Sequence, residues 1–213
     1  MPPPATRPAW AAAAADLATR PQVLSDLHDR HGPPRLGRGP APDARFEALA
    51  SSIAYQQLAG RAAATIWGRV VDVVGRPFTP LAVLAAGPER LRSAGLSGAK
   101  TAALLDLALK VDDGTVRLDR VGRWGDQAVI EHLTVVRGIG PWTAQMFLLF
   151  DLRRLDVWPT GDYGVRAGLA RAHGWDEPPT EKEMVALGEP FAPYRSVVAW
   201  WCWREVDTVT PPG

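Results

Sequence analysis

Apolar residues recur every three or four positions along most of this chain, the spacing of amphipathic helices. After Asp43, a residue suited to capping, Phe46, Leu49, Ala50 and Ile53 share one face and predict a helix to about Ala54. Leu104, Leu105, Ala108 and Val111 do the same for Ser97 to Asp112. A helix over Gly60–Val74 should stop at Gly75. Alanine-rich Ala9–Thr19 should be helical, and Pro21 can open the next helix at its first position. The glycine- and proline-rich stretch His31–Pro40 reads as a loop. Thr79-Pro80 and Gly87-Pro88 open two short helices. Gly125–Val135 and Pro141–Phe150 flank a pair of glycines, and Asp162–Ala172, Thr180–Leu187 and Tyr194–Val206 complete the set. No apolar/polar alternation is sustained; Val116-Arg-Leu118 is at most a short extended piece. The pattern predicts an all-α fold of about ten to twelve short helices. No solenoid-length repeat recurs.

Composition narrows the class. The 213 residues suffice for one large domain or two small lobes, and 46% hydrophobic content marks a folded chain. One cysteine excludes a disulfide framework and a four-cysteine iron–sulfur or zinc site. Cys202, inside an aromatic run, reads as a small core residue. His28, His31, His132 and His173 lack metal-ligand spacing and read as surface residues. Residues 1–8 are rich in proline and read as a flexible arm. The N-terminus lacks the pattern of a signal peptide, and no apolar run approaches a membrane span, so a cytoplasmic protein is expected. The net charge of +1 gives no global sign of a nucleic-acid partner. Asp176–Glu189 is acidic, however, with Lys182 its only cation, so a neutral total can hide a basic face.

The chemistry concentrates in two segments. Leu133-Thr-Val-Val-Arg-Gly-Ile-Gly-Pro-Trp-Thr-Ala144 reads as helix, glycine hairpin and helix. Gly138 and Gly140 allow positive φ and close approach by another backbone. Ile139 would plug the gap between helices, and Pro141 is tolerated in a first helical turn. Amides at the start of the Trp142 helix form an anion site, and a DNA phosphate fits it without any reading of sequence. A bare Gly-x-Gly also serves plain helix–turn–helix connections; it is the fuller pattern of Leu133, Gly138, Ile139, Gly140 and Ala144 that favours the clamp.

Pro159-Thr-Gly-Asp162 then places a carboxylate at a helix start, one helix and a return loop later. Asp162 is a good N-cap by residue type. It is also suited to stabilising an oxocarbenium-like sugar and orienting water during glycoside cleavage. Nine tryptophans are available, three of them in Trp200-Trp201-Cys202-Trp203. Tryptophan faces hold cations well, so Trp142 and Trp203 are candidates to hold a flipped cationic base, while core packing is their plain alternative. Trp10, Trp67, Trp124 and Trp175 read as packing. Tyr55-Gln-Gln-Leu58 joins two helices and could fill the hole left by an extruded base, with Gln57 first and Leu58 second. Lys100 is a candidate phosphate contact or a solvated charge. Arg195 and Ser196 are candidates to brace Asp162 or the pocket.

Together these motifs resemble the helix–hairpin–helix DNA glycosylase superfamily, and within it the 3-methyladenine DNA glycosylase II branch of alkylation repair. The resemblance runs from about Asp43 to Val206. It rests on Tyr55-Gln-Gln-Leu-Ala, Arg137-Gly-Ile-Gly-Pro-Trp-Thr-Ala, Pro159-Thr-Gly-Asp-Tyr-Gly and Tyr194-Arg-Ser-Val-Val-Ala-Trp-Trp-Cys-Trp-Arg. It implies a two-lobed helical fold without the N-terminal mixed α/β domain of some relatives. One lobe would span about 43–130, the other 9–42 and 131–213, with the helix–hairpin–helix at 125–150. It implies Asp162 as catalytic aspartate and a base pocket of Trp142, Trp203, Met146 and Tyr163. It implies Gln57 or Leu58 as the intercalating residue, and a phosphate clamp of Gly138, Ile139, Gly140 and Thr143 with Lys100. Carbonyls of Thr134, Val136 and Ile139 would match a structural Na+ or K+ site, with no cofactor required.

Trp142 stands where lyase relatives carry a Schiff-base lysine, which implies hydrolysis without strand cleavage. Met146 and Arg204 replace aromatic residues of some relatives, which implies a more open pocket. The expected protein is thus a monomeric, monofunctional glycosylase that releases alkylated purines, 3-methyladenine and 7-methylguanine, from damaged duplex DNA. A glycosylase for deaminated bases such as hypoxanthine or uracil, and a non-catalytic damaged-DNA-binding module, are the alternatives.

Overall fold

In the computed structural model of this chain, residues 6–58 and 60–206 are described. The expected proline-rich arm at 1–8 lies mostly outside them; its last two residues already belong to a helix. The described residues contain helices and no strand. The helices are α1 (Arg7–Leu17), α2 (Gln22–His31), α3 (Arg45–Tyr55), α4 (Gly60–Val74), α5 (Pro80–Ser93), α6 (Gly98–Asp112), α7 (Asp126–Thr134), α8 (Pro141–Met146), α9 (Tyr163–His173), α10 (Glu181–Gly188) and α11 (Arg195–Glu205).

Local chemistry accounts for many of their ends. Thr79 and Ser97 cap α5 and α6 by accepting from the amides of Ala82 and Lys100. Thr180 and Glu183 form a reciprocal capping box on α10. Gly75, at φ +84°, ends α4, and Gly174, at φ +69°, ends α9. Gly87, at φ +71° and ψ 170°, breaks the helical path inside α5, so two short helices follow Thr79-Pro80 and Gly87-Pro88 as their pattern predicts.

Some expectations need correction. Asp43 does not cap α3: the Ala44 amide closes a turn onto Ala41 O, and the helix starts at Arg45. Pro21 caps α2 from outside instead of opening it. The helix expected over Pro141–Phe150 is α-helical only to Met146 and continues as a π-helical turn at Phe147–Asp151. Val116-Arg-Leu118 pairs with no strand. Its Val116 amide bonds to Lys110 O, and Val116 and Leu118 bury their side chains.

The chain divides into two units. The first holds Pro40–Phe147, where α3 packs on α4 and α6, α4 and α6 pack on α5, and α8 packs on α7. Its core includes Leu49, Ile53, Leu91, Leu104, Leu107 and Leu133, all essentially inaccessible. Each such side chain contributes roughly 1.5–3 kcal/mol on burial. The second holds the described parts of Pro2–Gly39 and Leu148–Gly213, where α9 and α2 pack on α11 and α1 packs on α2. Trp10, Leu17, Leu24, Leu27 and Trp201 fill it. The glycine hairpin therefore groups with Pro40–Phe147, whereas the resemblance implies a lobe of 9–42 and 131–213 that includes it. Packing of α8 on α7, and of Ala103 of α6 against Gly138, holds it there.

Candidate active site and nucleic-acid interface

Asp162 stands at the N-cap of α9, where its backbone is extended and its Oδ1 accepts the Val165 amide at 2.9 Å. The same Oδ1 accepts the indole Nε1–H of Trp203, also at 2.9 Å. Two donors from different helices thus set the orientation of one carboxylate that is only 9% exposed. A plain cap needs only the first.

The second donor is there because α9 and α11 come unusually close. A Cβ on Gly168 of α9 would lie 2.0 Å from Cys202 O of α11, so only glycine permits this approach. Cys202 is fully buried, which pushes its thiol well above the usual range and makes it the core residue expected. Of the two roles open to Trp203, a face for a base or core packing, the ring takes the second: it is 5% exposed and stacks on Phe150 at 5.6 Å, while its indole N–H donates to Asp162. The aromatic beside Asp162 that does face outward is Tyr163, 67% exposed, with the Arg166 guanidinium 5.8 Å over its ring.

Arg195 and Ser196 bond the segment that precedes Pro159-Thr-Gly-Asp162. The Arg195 guanidinium forms two 2.7 Å bonds to the Asp156 carboxylate. The Ser196 hydroxyl donates to Arg154 O at 2.7 Å and accepts from the Val157 amide at 2.8 Å. These bonds pin residues 154–157, and the Asp162 amide then closes a turn onto Pro159 O. Trp158 anchors the same segment by donating to Met184 O.

In the other unit, α7 ends in the hairpin. Gly138 takes φ +77°, and a Cβ there would meet Ala103 at 3.0 Å. Gly138 and Gly140 are exposed, while Ile139 plugs the turn at 3% exposure, as its pattern predicts. The Ile139 amide donates to Val136 O, so a clamp would draw on the neighbouring residues' amides and not on this one. Trp142 is 45% exposed and Met146 is buried. Thr143 is 5% exposed, and its hydroxyl oxygen accepts from the Gln56 amide at 3.1 Å, so its side chain is turned toward α3.

The turn is braced from behind. Asp106 of α6 accepts the Arg137 amide at 2.7 Å and holds Lys110 at 2.6 Å. Burial raises the Asp106 carboxyl, but hydrogen bonds and charge from Lys110 and Arg137 outweigh it and hold the group below the usual range.

Gln57 and Leu58 are exposed in the connection between α3 and α4, and Gln57 takes φ +57°, which is rare for a residue with a side chain. Lys100, a candidate phosphate contact, turns inward and donates to Ala54 O at 2.8 Å, with burial lowering its ammonium.

The other aromatic and histidine expectations divide. Trp10 is buried, Trp67 packs on Phe78, and Trp124 meets His132 edge-on. Trp175 is 40% exposed and stacks on His173, so it is not a packing residue in the expected sense. His132 is not a plain surface residue: its Nε2 accepts the Arg117 amide, and burial lowers its pKa. His31 is likewise bound to Glu205. Among the described residues no group of three or more His, Cys, Asp or Glu side chains could hold a metal ion.

Three contributors escape the sequence. Gln56 sits beside the residues chosen for the connection. Asp106 shows only its helical spacing to Lys110, and Phe150 carries no local signal.

The chain is similar to DNA-3-methyladenine glycosylase 1 of Schizosaccharomyces pombe, 32% identical over 162 residues, covering 75% of this chain and 71% of the relative. The structure of the 3-methyladenine DNA glycosylase of that yeast in complex with abasic DNA superposes with TM-score 0.82 at 29% identity, covering 91% of this chain and 95% of that one. The crystal structure of the Bacillus halodurans DNA-3-methyladenine glycosidase superposes with TM-score 0.80 at 32% identity, covering 92% and 89%. The model of the HhH-GPD superfamily of base excision DNA repair proteins matches residues 50–193, more than half of the sequence, and the chain belongs to that superfamily.

Proposed function

We propose that this protein is a monofunctional, monomeric DNA glycosylase that hydrolyses the N-glycosidic bond of alkylated purines, 3-methyladenine and 7-methylguanine, in damaged duplex DNA. The observation that carries this reading is the Asp162 carboxylate, held on one oxygen by the Val165 amide and the Trp203 indole. A carboxylate needs such fixed aim if it is to meet charge that appears only as the bond breaks.

In the reaction the C1′–N bond breaks and its electron pair leaves with the base. A base alkylated on a ring nitrogen is already cationic, so the pair neutralises it and no general acid is required. Asp162 stabilises the oxocarbenium-like sugar and orients a water, whose oxygen bonds to C1′ and whose proton is taken up by the carboxylate. The products are a free base and an abasic site. The exposed rings of Tyr163 and Trp142 are each suited to a cationic base. Strand cleavage by an amine is not expected, because Trp142 occupies the lysine position of lyase relatives. Lys100 and Lys110 are already engaged with Ala54 O and Asp106.

The hairpin would hold a phosphate through amides around Gly138 and Gly140, and Gln57 or Leu58 would fill the vacated stack. A monovalent cation would sit at the carbonyls of Thr134, Val136 and Ile139, at and just past the end of α7. Val136 O already accepts the Ile139 amide and would use its second lone pair. Such an all-carbonyl donor set is suited to a hard cation such as Na+ or K+ and not to a transition metal. No helix of the described residues is long and apolar enough to cross a membrane.

The test is chromatographic detection of free base from methylated duplex DNA, with wild type beside Asp162→Asn. Release of methylated purines by wild type alone supports the reading. Normal turnover by a folded Asp162→Asn protein removes it, and release of hypoxanthine or uracil instead would move the protein to another lesion class.

A further inference from the structure

The amide of Gln56 ties the exposed Gln57-Leu58 connection to the glycine hairpin. Its Nε2 donates to Gly138 O at 3.1 Å and meets Thr143 Oγ1 at 3.1 Å. Gly138 is the hairpin residue with positive φ, and Thr143 lies in the first turn of α8. One side chain therefore touches both limbs of the hairpin. Gln56 also ends α3 in an extended conformation, φ −50° and ψ 131°, and the next residue, Gln57, is held at φ +57°. A non-glycine residue persists in that region only where its surroundings impose it. The Leu58 amide closes the turn onto Tyr55 O, and Lys100 of α6 holds Ala54 O at the end of α3. The connection is thus anchored on both sides of Gln56 while Gln57 and Leu58 remain exposed.

We propose that Gln56 is a positioning residue that sets the stack-filling side chain of Gln57 in register with the strand-gripping hairpin. The inference rests on the roles proposed above for Gln57 and for the hairpin. A phosphate held by the hairpin fixes where the vacated stack lies, and a filler must arrive at a set distance along the same strand. Gln56 supplies that distance with two hydrogen bonds instead of leaving it to a free loop. Its neighbour Gln57, identical in type, has no such tie in its side-chain bonds and projects outward.

The experiment measures binding of the full chain to two duplexes. One carries a tetrahydrofuran abasic analogue beside 2-aminopurine, and the other is undamaged. Neither requires knowledge of the base excised, so the result stands apart from the lesion assignment. Gln56→Met keeps the length and removes the donor. It should reduce the preference for the abasic duplex about fivefold, the worth of one or two net hydrogen bonds, and reduce the 2-aminopurine response. Gln56→Glu, which sets a carboxylate against Gly138 O, should reduce it more. In a Gln57→Ala background Gln56→Met should cause no further loss, because there is no filler left to place. Equal loss in both backgrounds, with melting temperatures matched, overturns the proposal, as does unchanged preference in Gln56→Met. Absence of any abasic preference in wild type overturns the parent reading and this one with it. Unchanged preference in Gln57→Ala alone removes Gln57 as filler and overturns the proposal while leaving excision untouched.

Discussion

Asp162 and Gly138 are both held in place by hydrogen bonds, yet the means differ. Asp162 is 9% exposed, and its orientation comes from a cap on its own helix and an indole brought in by tight packing of α9 on α11. Gly138 is exposed, and its turn is held from behind by Asp106 at the Arg137 amide and by Gln56 at its own carbonyl. The difference follows from what each must present. A reacting carboxylate needs a single angle in a site poor in water, which packing provides. A backbone that grips a phosphate must itself stay open, so its rigidity has to come from side chains reaching in from the protein side.

Substitutions can break this contrast, and the largest effect should come from the carboxylate. Asp162→Asn should reduce base release by about a thousandfold while leaving duplex affinity near wild type, measured by chromatography and by fluorescence anisotropy. Gly168→Ala drives a Cβ into Cys202 O and should cost about 3 kcal/mol of stability, read from denaturant unfolding. An unchanged midpoint would show that the two helices can part freely and that packing does not set the carboxylate. Trp203→Phe keeps a ring against Phe150 and removes the donor to Asp162. It should slow single-turnover excision about tenfold with little change in affinity, since hydrogen bonds to charged groups are worth roughly 1.5–3 kcal/mol.

On the hairpin side the signature should reverse. Gly138→Ala places a side chain at φ +77° and against Ala103, at a cost of about 1–2 kcal/mol. It should weaken duplex binding before it affects the single-turnover rate at saturating protein. The smallest effect concerns Asp106. Its carboxyl is held below its ordinary value, so the bracing of Arg137 is complete above that ordinary value and is lost as pH falls through the depressed one. Amide exchange at Arg137 should therefore rise relative to its neighbours only in that acid range. Protection that stays flat there would leave Asp106 without a bracing role.

How much was legible varies with the range of the interaction. Helix α4 is found at its expected bounds, and α6, α9 and α10 within a residue, because glycine stops and capping residues act within one turn of their own position. The hairpin and Asp162 stand out for the same reason: their glycines, proline and carboxylate lie in continuous stretches. The tryptophan run is the counterexample. Trp201 is fully buried and donates to Gly32 O, Trp203 holds Asp162, and Trp200 lies under Arg204. Helical spacing separates Trp201 from the other two but does not say what each face meets.

By itself, then, the amino-acid sequence determined the all-helical character, most helix ends, the glycine turn and the carboxylate that opens α9. These depend on backbone preferences and periodicity within a few residues. Only the tertiary structure decided that Gln56 faces the hairpin while Gln57 faces outward, that Thr143 and Lys100 turn inward, and that Trp203 serves the carboxylate through its N–H. Each of those outcomes depends on which residues distant in the chain the packed helices bring within hydrogen-bonding distance, and no local period encodes that.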